Sequence, residues 1–145
     1  MSITVSAAIT DQGRAAFANQ TVQGTSFVVN QFEVGNGGHD VGNPIVALTP
    51  DTSLSALPSI TFGPEPIDNS GFSGDIFTPE FLCILQQNEA VGEISNIGLL
   101  ATYTNSPENI AEGIADSTFL FAIGNFPLRV KTDTESVEFL VSIIF

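Results

Sequence analysis

Apolar and polar positions alternate along several stretches of this chain, and the pattern has the period of strands more often than that of helices. In "TSFVVNQFEVG" the alternation puts Val28, Asn30, Phe32 and Val34 on one face of a strand rich in β-formers. Strand patterns return at "EFLCILQQ", "EISNIGLLATYT", "STFLFAIGN" and "SVEFLVSIIF". The short link Asn88–Gly92 predicts a hairpin joining the first two of these four. In the last, Val137, Phe139, Val141, Ile143 and Phe145 share one face, while Leu140 and Ile144 lie on the other. Apolar residues on both faces predict a central strand or one covered by another subunit. A frayed "SIIF" end exposes an aggregation-prone segment, so the C-terminus must be held by its own sheet or by a neighbour.

Helical signals are fewer. "TDQGRAAFANQ" offers Thr10 as an N-cap, Asp11 in the first turn, three alanines and Phe17 as a buried anchor. Gly13 argues for a short helix, and Gly24 punctuates after it. "SPENIAEGIAD" predicts a second short helix near 107–114, capped by Ser106 with Pro107 at its first position. Between about residues 35 and 75, Gly, Pro, Asn and Ser dominate. That region reads as extended loop with one or two short edge strands around Ser59–Phe62, and long loops of this kind are where partners bind. The expected fold is α+β, mainly antiparallel β in a sheet or sandwich, with one N-terminal helix and one short helix near 107–114. The 145 residues predict a single domain spanning 1–145.

Composition changes this picture in one respect. Charged residues are 13% of the chain, against roughly 25% in ordinary soluble domains. Interfaces deplete charge, so the shortage points to a subunit that packs into an assembly. The charges that remain are 16 acidic and three basic, the latter Arg14, Arg129 and Lys131, giving a net charge of −13. So few cations exclude ordinary binding to nucleic acid or to an anionic membrane surface. The N-terminus has no basic stretch of a secretory signal and no apolar run reaches bilayer length, so the expected setting is a cytoplasm without membrane attachment. Cys83, alone in "FLCIL", reads as a core residue.

The most suggestive site for chemistry is "QFEVGNGGHD", where Gly35, Asn36, Gly37 and Gly38 lead to His39, the one histidine, and Asp40. A dinucleotide loop requires a third glycine where Asp40 stands, and a helix start after it. A Walker loop requires a lysine that is absent here. Zinc wants several His and Cys ligands, and the chain owns one of each. Asn36, Asp40 and Asn43 suit calcium by type but lack ligand-loop spacing, and such residues commonly shape turns. Glu80, Glu89 and Glu93 are the carboxylates a small glycosidase would draw on, with a pair about 5–10 Å apart. No motif assigns a catalytic residue, a metal or a cofactor, so no enzyme activity is expected. A carbohydrate- or receptor-binding β-module is a further alternative, which predicts a concave aromatic patch.

Taken in order, four motifs carry a resemblance. They are "ITDQGRAAFANQ", "QFEVGNGGHD", "VGEISNIGLLAT" and "FLFAIGNFPLRVK", followed by an apolar final strand. The series resembles the N-terminal attachment domain of phage tail-collar fibre proteins, the tail fibres of contractile-tailed phages, over Ile9 to Phe145. Fibres of that family continue into a shaft and a receptor-reading tip, whereas this sequence stops at Phe145. The resemblance therefore implies a short adaptor in a virion tail, assembled in the host cytoplasm. Its implied partners are other copies in a homotrimer, a baseplate protein and a tail fibre protein. Three segments are expected to meet partners: the Gly35–Asp40 loop, the "NFPLRVK" stretch with Phe126, Arg129 and Lys131, and the terminal run with Val141, Ile143 and Phe145.

Overall fold

The computed structural model describes residues 1–104 and 118–145. The helix expected near 107–114 lies outside the described residues. In chain order the elements are β1 (Ser2–Ile9), α1 (Asp11–Gln23), β2 (Phe27–Gly35), β3 (His39–Asp40), β4 (Asn43–Ala47), β5 (Ile60–Pro66), β6 (Asn69–Phe72), β7 (Pro79–Leu85), β8 (Gly92–Tyr103), β9 (Thr118–Lys131) and β10 (Val137–Ile144). The fold is mainly β with one N-terminal helix, in the α+β class that the patterning predicts.

Eight strands form one sheet in the order β5-β2-β8-β9-β1-β10-β7-β6, and β3 and β4 form a separate hairpin. The strands β5 and β6 lie at opposite edges of that order, yet only Ile67 and Asp68 separate them. Ile67 N donates to Asn30 O of β2 at 3.0 Å, and Asp68 N donates to Leu82 O of β7 at 2.9 Å. One stretch of chain thus leaves one edge and joins the other, which curls the sheet nearly closed. Inside the curl lies the main core, including Val5, Phe32, Leu99, Phe121, Phe139 and Val141. A second, smaller cluster of Leu57, Leu100, Leu120 and Ile123 covers the outer face of β8 and β9. That cover explains why "ISNIGLLA" is buried on both faces.

β1 is a strand that the reading of the sequence passed over. Its Ile3, Val5, Ala7 and Ile9 are buried at alternate positions. It runs parallel to β10, from Ser2 opposite Glu138 to Ala8 opposite Ile144, while the other pairings of the described strands are antiparallel, so the sheet is mainly antiparallel as the patterning predicts. The parallel pairing clamps the N-terminus to the start of β10: Met1 Nα donates to Ser136 O at 3.1 Å, and Glu138 N donates to Met1 O at 2.8 Å. β10 is therefore the central strand, held by β1 and β7 within its own sheet.

Other expectations need correction. The hairpin between β7 and β8 does not form, because β7 pairs with β6 and β10 while β8 pairs with β2 and β9. The apolar side of β7, with Phe81, Cys83 and Leu85 buried, is satisfied by Val137, Phe139 and Val141 across β10. The 35–75 region holds four strands, β3 to β6, and so is far less irregular than its Gly and Pro content implies. "NFPLRVK" continues β9, with its register against β8 shifting between Asn125 and Arg129. On β2 a bulge at Asn30 breaks the alternation, since Val29 faces Ala101 but Gln31 faces Leu100. Val28 is consequently exposed while Phe32 and Val34 are buried, so the four residues assigned to one face are divided. The helix is a full 13 residues. Thr10 Oγ1 accepts from Gly13 N at 3.1 Å and donates to Leu120 O at 2.5 Å, capping the helix and fixing it to β9. A Cβ at Gly13 would lie 2.7 Å from Phe121 O, so that glycine, costly for helix propensity, permits the close approach of helix to sheet.

Candidate functional site

The glycine loop leaves β2 at Gly35, where β2 faces Asn96 of β8. None of Gly35, Gly37 and Gly38 has a positive φ, so the glycines do not serve a left-handed turn. They serve close approach. A Cβ at Gly38 would collide with Ser95 O, one at Gly35 would sit 2.6 Å from Ser59 O, and one at Gly37 would sit 2.9 Å from Pro58 Cβ. Gly38 N donates to Ser95 Oγ at 2.8 Å, and His39 Nδ1 is 2.9 Å from the same oxygen. Leu48 N donates to Gly38 O at 2.8 Å and Asn125 Nδ2 donates to Leu48 O at 2.9 Å. Asn96 Nδ2 donates to Pro58 O at 3.1 Å, while its Oδ1 is buried with no hydrogen bond. Asn36 N donates to Ser59 O at 3.1 Å.

These bonds make a latch. Ser95 and Asn96, both fully buried, hold the base of the β3–β4 hairpin and the segment behind it. The hairpin itself is displayed. Val41 is 88% exposed, Ile45 78%, Val46 44% and Leu48 45%. From Val41 to Pro50 the sequence has no charged residue. Asp40 Oδ1 accepts from Gly42 N at 2.9 Å, which shapes the turn. Within the loop, His39 faces a serine whose hydroxyl is buried and already engaged. Among the described residues no three His, Cys, Asp or Glu side chains gather as a metal site.

A second feature lies at the other end of β2. Phe17, Phe27, Val28, Phe81, Phe121 and Phe145 line an apolar pocket of about 270 Å³ between the helix, β2, β7 and the end of β10. The rings of Phe17 and Phe27 meet edge to face at 5.2 Å, and Phe17 and Phe145 lie 6.0 Å apart. Phe145 also lines an adjoining pocket with Ile9, Arg14 and Ile144. Phe145 is 73% exposed and Val28 46%.

The expected contact residues separate into two groups. Asn36, Gly37, His39, Asp40, Arg129 and Phe145 reach the surface or its margin, whereas Gly35 and Gly38 are buried against Ser59 O and Ser95 O and are not free to meet a partner. Phe126, Val141 and Ile143 are buried inside this chain; Phe126 packs on Phe139 at 5.6 Å, and the inward side of β10 takes the other two. Their side chains face this core and not a partner, because β10 is covered by the curl of its own sheet. Lys131 is corrected too. It is 1% exposed, and its Nζ donates to Gln87 O at 2.8 Å and Thr132 O at 3.3 Å. It fastens the link after β7 rather than meeting a partner. Glu80, within β7, and Glu89, past its end, line different pockets, and Glu89 closes a turn by accepting from Gln86 N at 2.7 Å. Burial pushes the Cys83 thiol up to about 12, helped by the charge of Asp68.

Ser95, Asn96 and Asn125 went unremarked in the sequence, although each is a polar residue set inside an apolar strand run, which is the signal that could have found them. The pocket left no such signal, since its aromatic residues are scattered from position 17 to position 145. No family model, no curated protein and no solved structure matches the chain. Among the described residues no helix is long and apolar enough to cross a membrane.

Proposed function

We propose that this chain is a structural subunit of a phage tail, a short adaptor that seats fibres on the baseplate and works as a homotrimer. The observation that carries the reading is the latched hairpin: a rigidly based surface of exposed apolar side chains, with no charged residue from Val41 to Pro50, on a chain of net charge −13. Exposing such side chains costs solubility, and a patch of this kind marks a protein-protein contact. The motif order that resembles tail-collar fibre proteins supplies the setting. The test is to raise antibodies to the chain and label purified phage particles from a host that carries its gene. Labelling at the baseplate–fibre junction supports the proposal, and particles without the chain reject it.

The aromatic pocket favours a second reading, a carbohydrate-binding module of the tail, because it is concave and ring-lined. Sugars also need hydrogen bonds, and Ser70 is the one hydroxyl-bearing side chain of that lining. Glycan-array binding by the purified protein, abolished in Phe17→Ala, would favour this reading over the first.

A further inference from the structure

The curl of the sheet is closed along only part of its seam. β5 lies beside β2 from Gln31 to Gly35, and after Ile67 and Asp68 the chain continues as β6 beside β7. Among the described residues no strand pairs with Phe27–Val29 on the side of β2 away from β8, or with β6 on the side away from β7. These two edges face each other across the aromatic pocket, whose lining takes Phe27, Val28 and Val29 from one and Ser70 from the other. Burial records the gap. Phe27 to Asn30 are exposed or half-buried where Phe32, Val34 and Gly35 are buried. Every residue of β6 is exposed, including Ser70 opposite the buried Phe81.

Sequence sets these two edges apart from their neighbour. Exposed strand edges are ordinarily blunted by proline or by charge. β5 has both, in Pro64, Glu65 and Pro66, whereas "FVVN" of β2 and "NSGF" of β6 have neither. The floor between them is made of rings, Phe17, Phe81, Phe121 and Phe145, and no residue of the lining is charged. From Ile67 to Glu80 the charges are Asp68, Asp75 and Glu80, all acidic, while Arg14 in the adjoining pocket lies 3.9 Å from Asp11.

We infer that this gap takes an extended peptide of a partner protein, which adds a strand between β2 and β6. Main-chain bonds to the two edges supply affinity, and alternate side chains supply selection. The inward side chains must be apolar. A pocket of about 270 Å³ exceeds the roughly 150 Å³ cavity that holds benzene, so it takes an indole or a large aliphatic group. The acids along β6 select lysine or arginine beside the paired segment.

This chain has no tryptophan, so the emission of a tryptophan peptide reads the peptide alone. The probe is a short synthetic peptide, blocked at both ends, of alternating valine and threonine with a central tryptophan and terminal lysines. It is titrated with the full chain. Expected are a blue-shifted emission that saturates at one peptide per chain, and slower amide exchange in β6 and in β2 before Gln31, with none in the β3–β4 hairpin. The same peptide N-methylated along its backbone keeps its side chains but cannot pair, and binds about tenfold more weakly. Ser70→Phe fills the gap from an exposed position and weakens binding by a similar factor, with unchanged thermal unfolding. Equal binding of the N-methylated peptide overturns the inference, because the site is then an apolar pocket without strand addition. Absent binding, protection confined to the hairpin, or two chains per bound peptide overturns it as well. A glycan retained where the peptide is not returns the pocket to the carbohydrate reading. Neither the hairpin nor the tail setting enters this assay, so it fails separately from the particle labelling.

Discussion

The two ends of β2 are built by different physics. At the Gly35 end the chain is held by directional bonds among Ser95, Asn96, Asn125 and backbone groups, with glycines so close to neighbouring carbonyls that no side chain fits. At the Phe27 end it is held by aromatic rings that meet edge to face and leave a pocket. Hydrogen bonds fix angle and position, and a buried donor left unmade is costly. Hydrophobic burial is non-directional and tolerates adjustment. The contrast teaches that this chain spends polar burial where a feature must project in a set direction, and apolar burial where a surface must adapt to what enters it.

Substitution can break that contrast. The largest effect is expected at Gly38→Ala, whose new methyl group drives into Ser95 O and costs about 3 kcal/mol. Urea unfolding measures it, and a cost near zero would mean that the loop is not packed as described. Ser95→Ala comes next. It strips Gly38 N and His39 Nδ1 of their partner and should cost about 2 kcal/mol, with faster amide exchange at Gly38. At the other end, Phe17→Leu keeps an apolar side chain in an adaptable setting and should cost about 1 kcal/mol. If Phe17→Leu costs more than Ser95→Ala, the division between a stiff end and a yielding end is wrong.

The smallest effect sharpens the middle of the strand. Glu33, half-buried on β2, has its carboxyl pushed up by burial. A raised pKa means that the folded state holds the proton more tightly, so Glu33 contributes stability at low pH that disappears as pH rises through its folded pKa. Relative to Glu33→Gln, the unaltered chain should therefore do better at about pH 3.5 than at about pH 7. Solvent screening at this exposed flank keeps the difference small. Urea midpoints of both proteins at the two pH values check it, and an unchanged or reversed difference would place Glu33 in open solvent.

How much of this was legible beforehand varies by element. α1 was legible because its cap is local: Thr10 and the first turn are neighbours in sequence. The cores of β2, β7, β8, β9 and β10 were legible from β-forming apolar runs. β1 was missed because "SITVSAAI" carries two alanines and two serines, and its strand character comes from pairing with β10 more than 130 residues on. The Asn30 bulge was missed because a bulge depends on the partner strand, and a shift of one residue exchanges the faces. The candidate site was half legible. The glycine loop drew notice as a candidate phosphate or metal site, whereas it is the absence of a Cβ against Pro58, Ser59 and Ser95 that matters.

The sequence by itself determined the class, the helix at the start, the polarity of the surface and the shortage of cations, because composition, capping and periodicity are properties of neighbouring residues. Only the tertiary structure decided that Phe126, Lys131, Val141 and Ile143 turn inward, that the first and last strands lie side by side in one sheet, and that a hairpin with exposed apolar side chains stands at the far end of a strand from an aromatic pocket. Those outcomes depend on which strands pair. Pairing is decided by burial summed over the whole curl, a quantity that no single stretch of sequence contains.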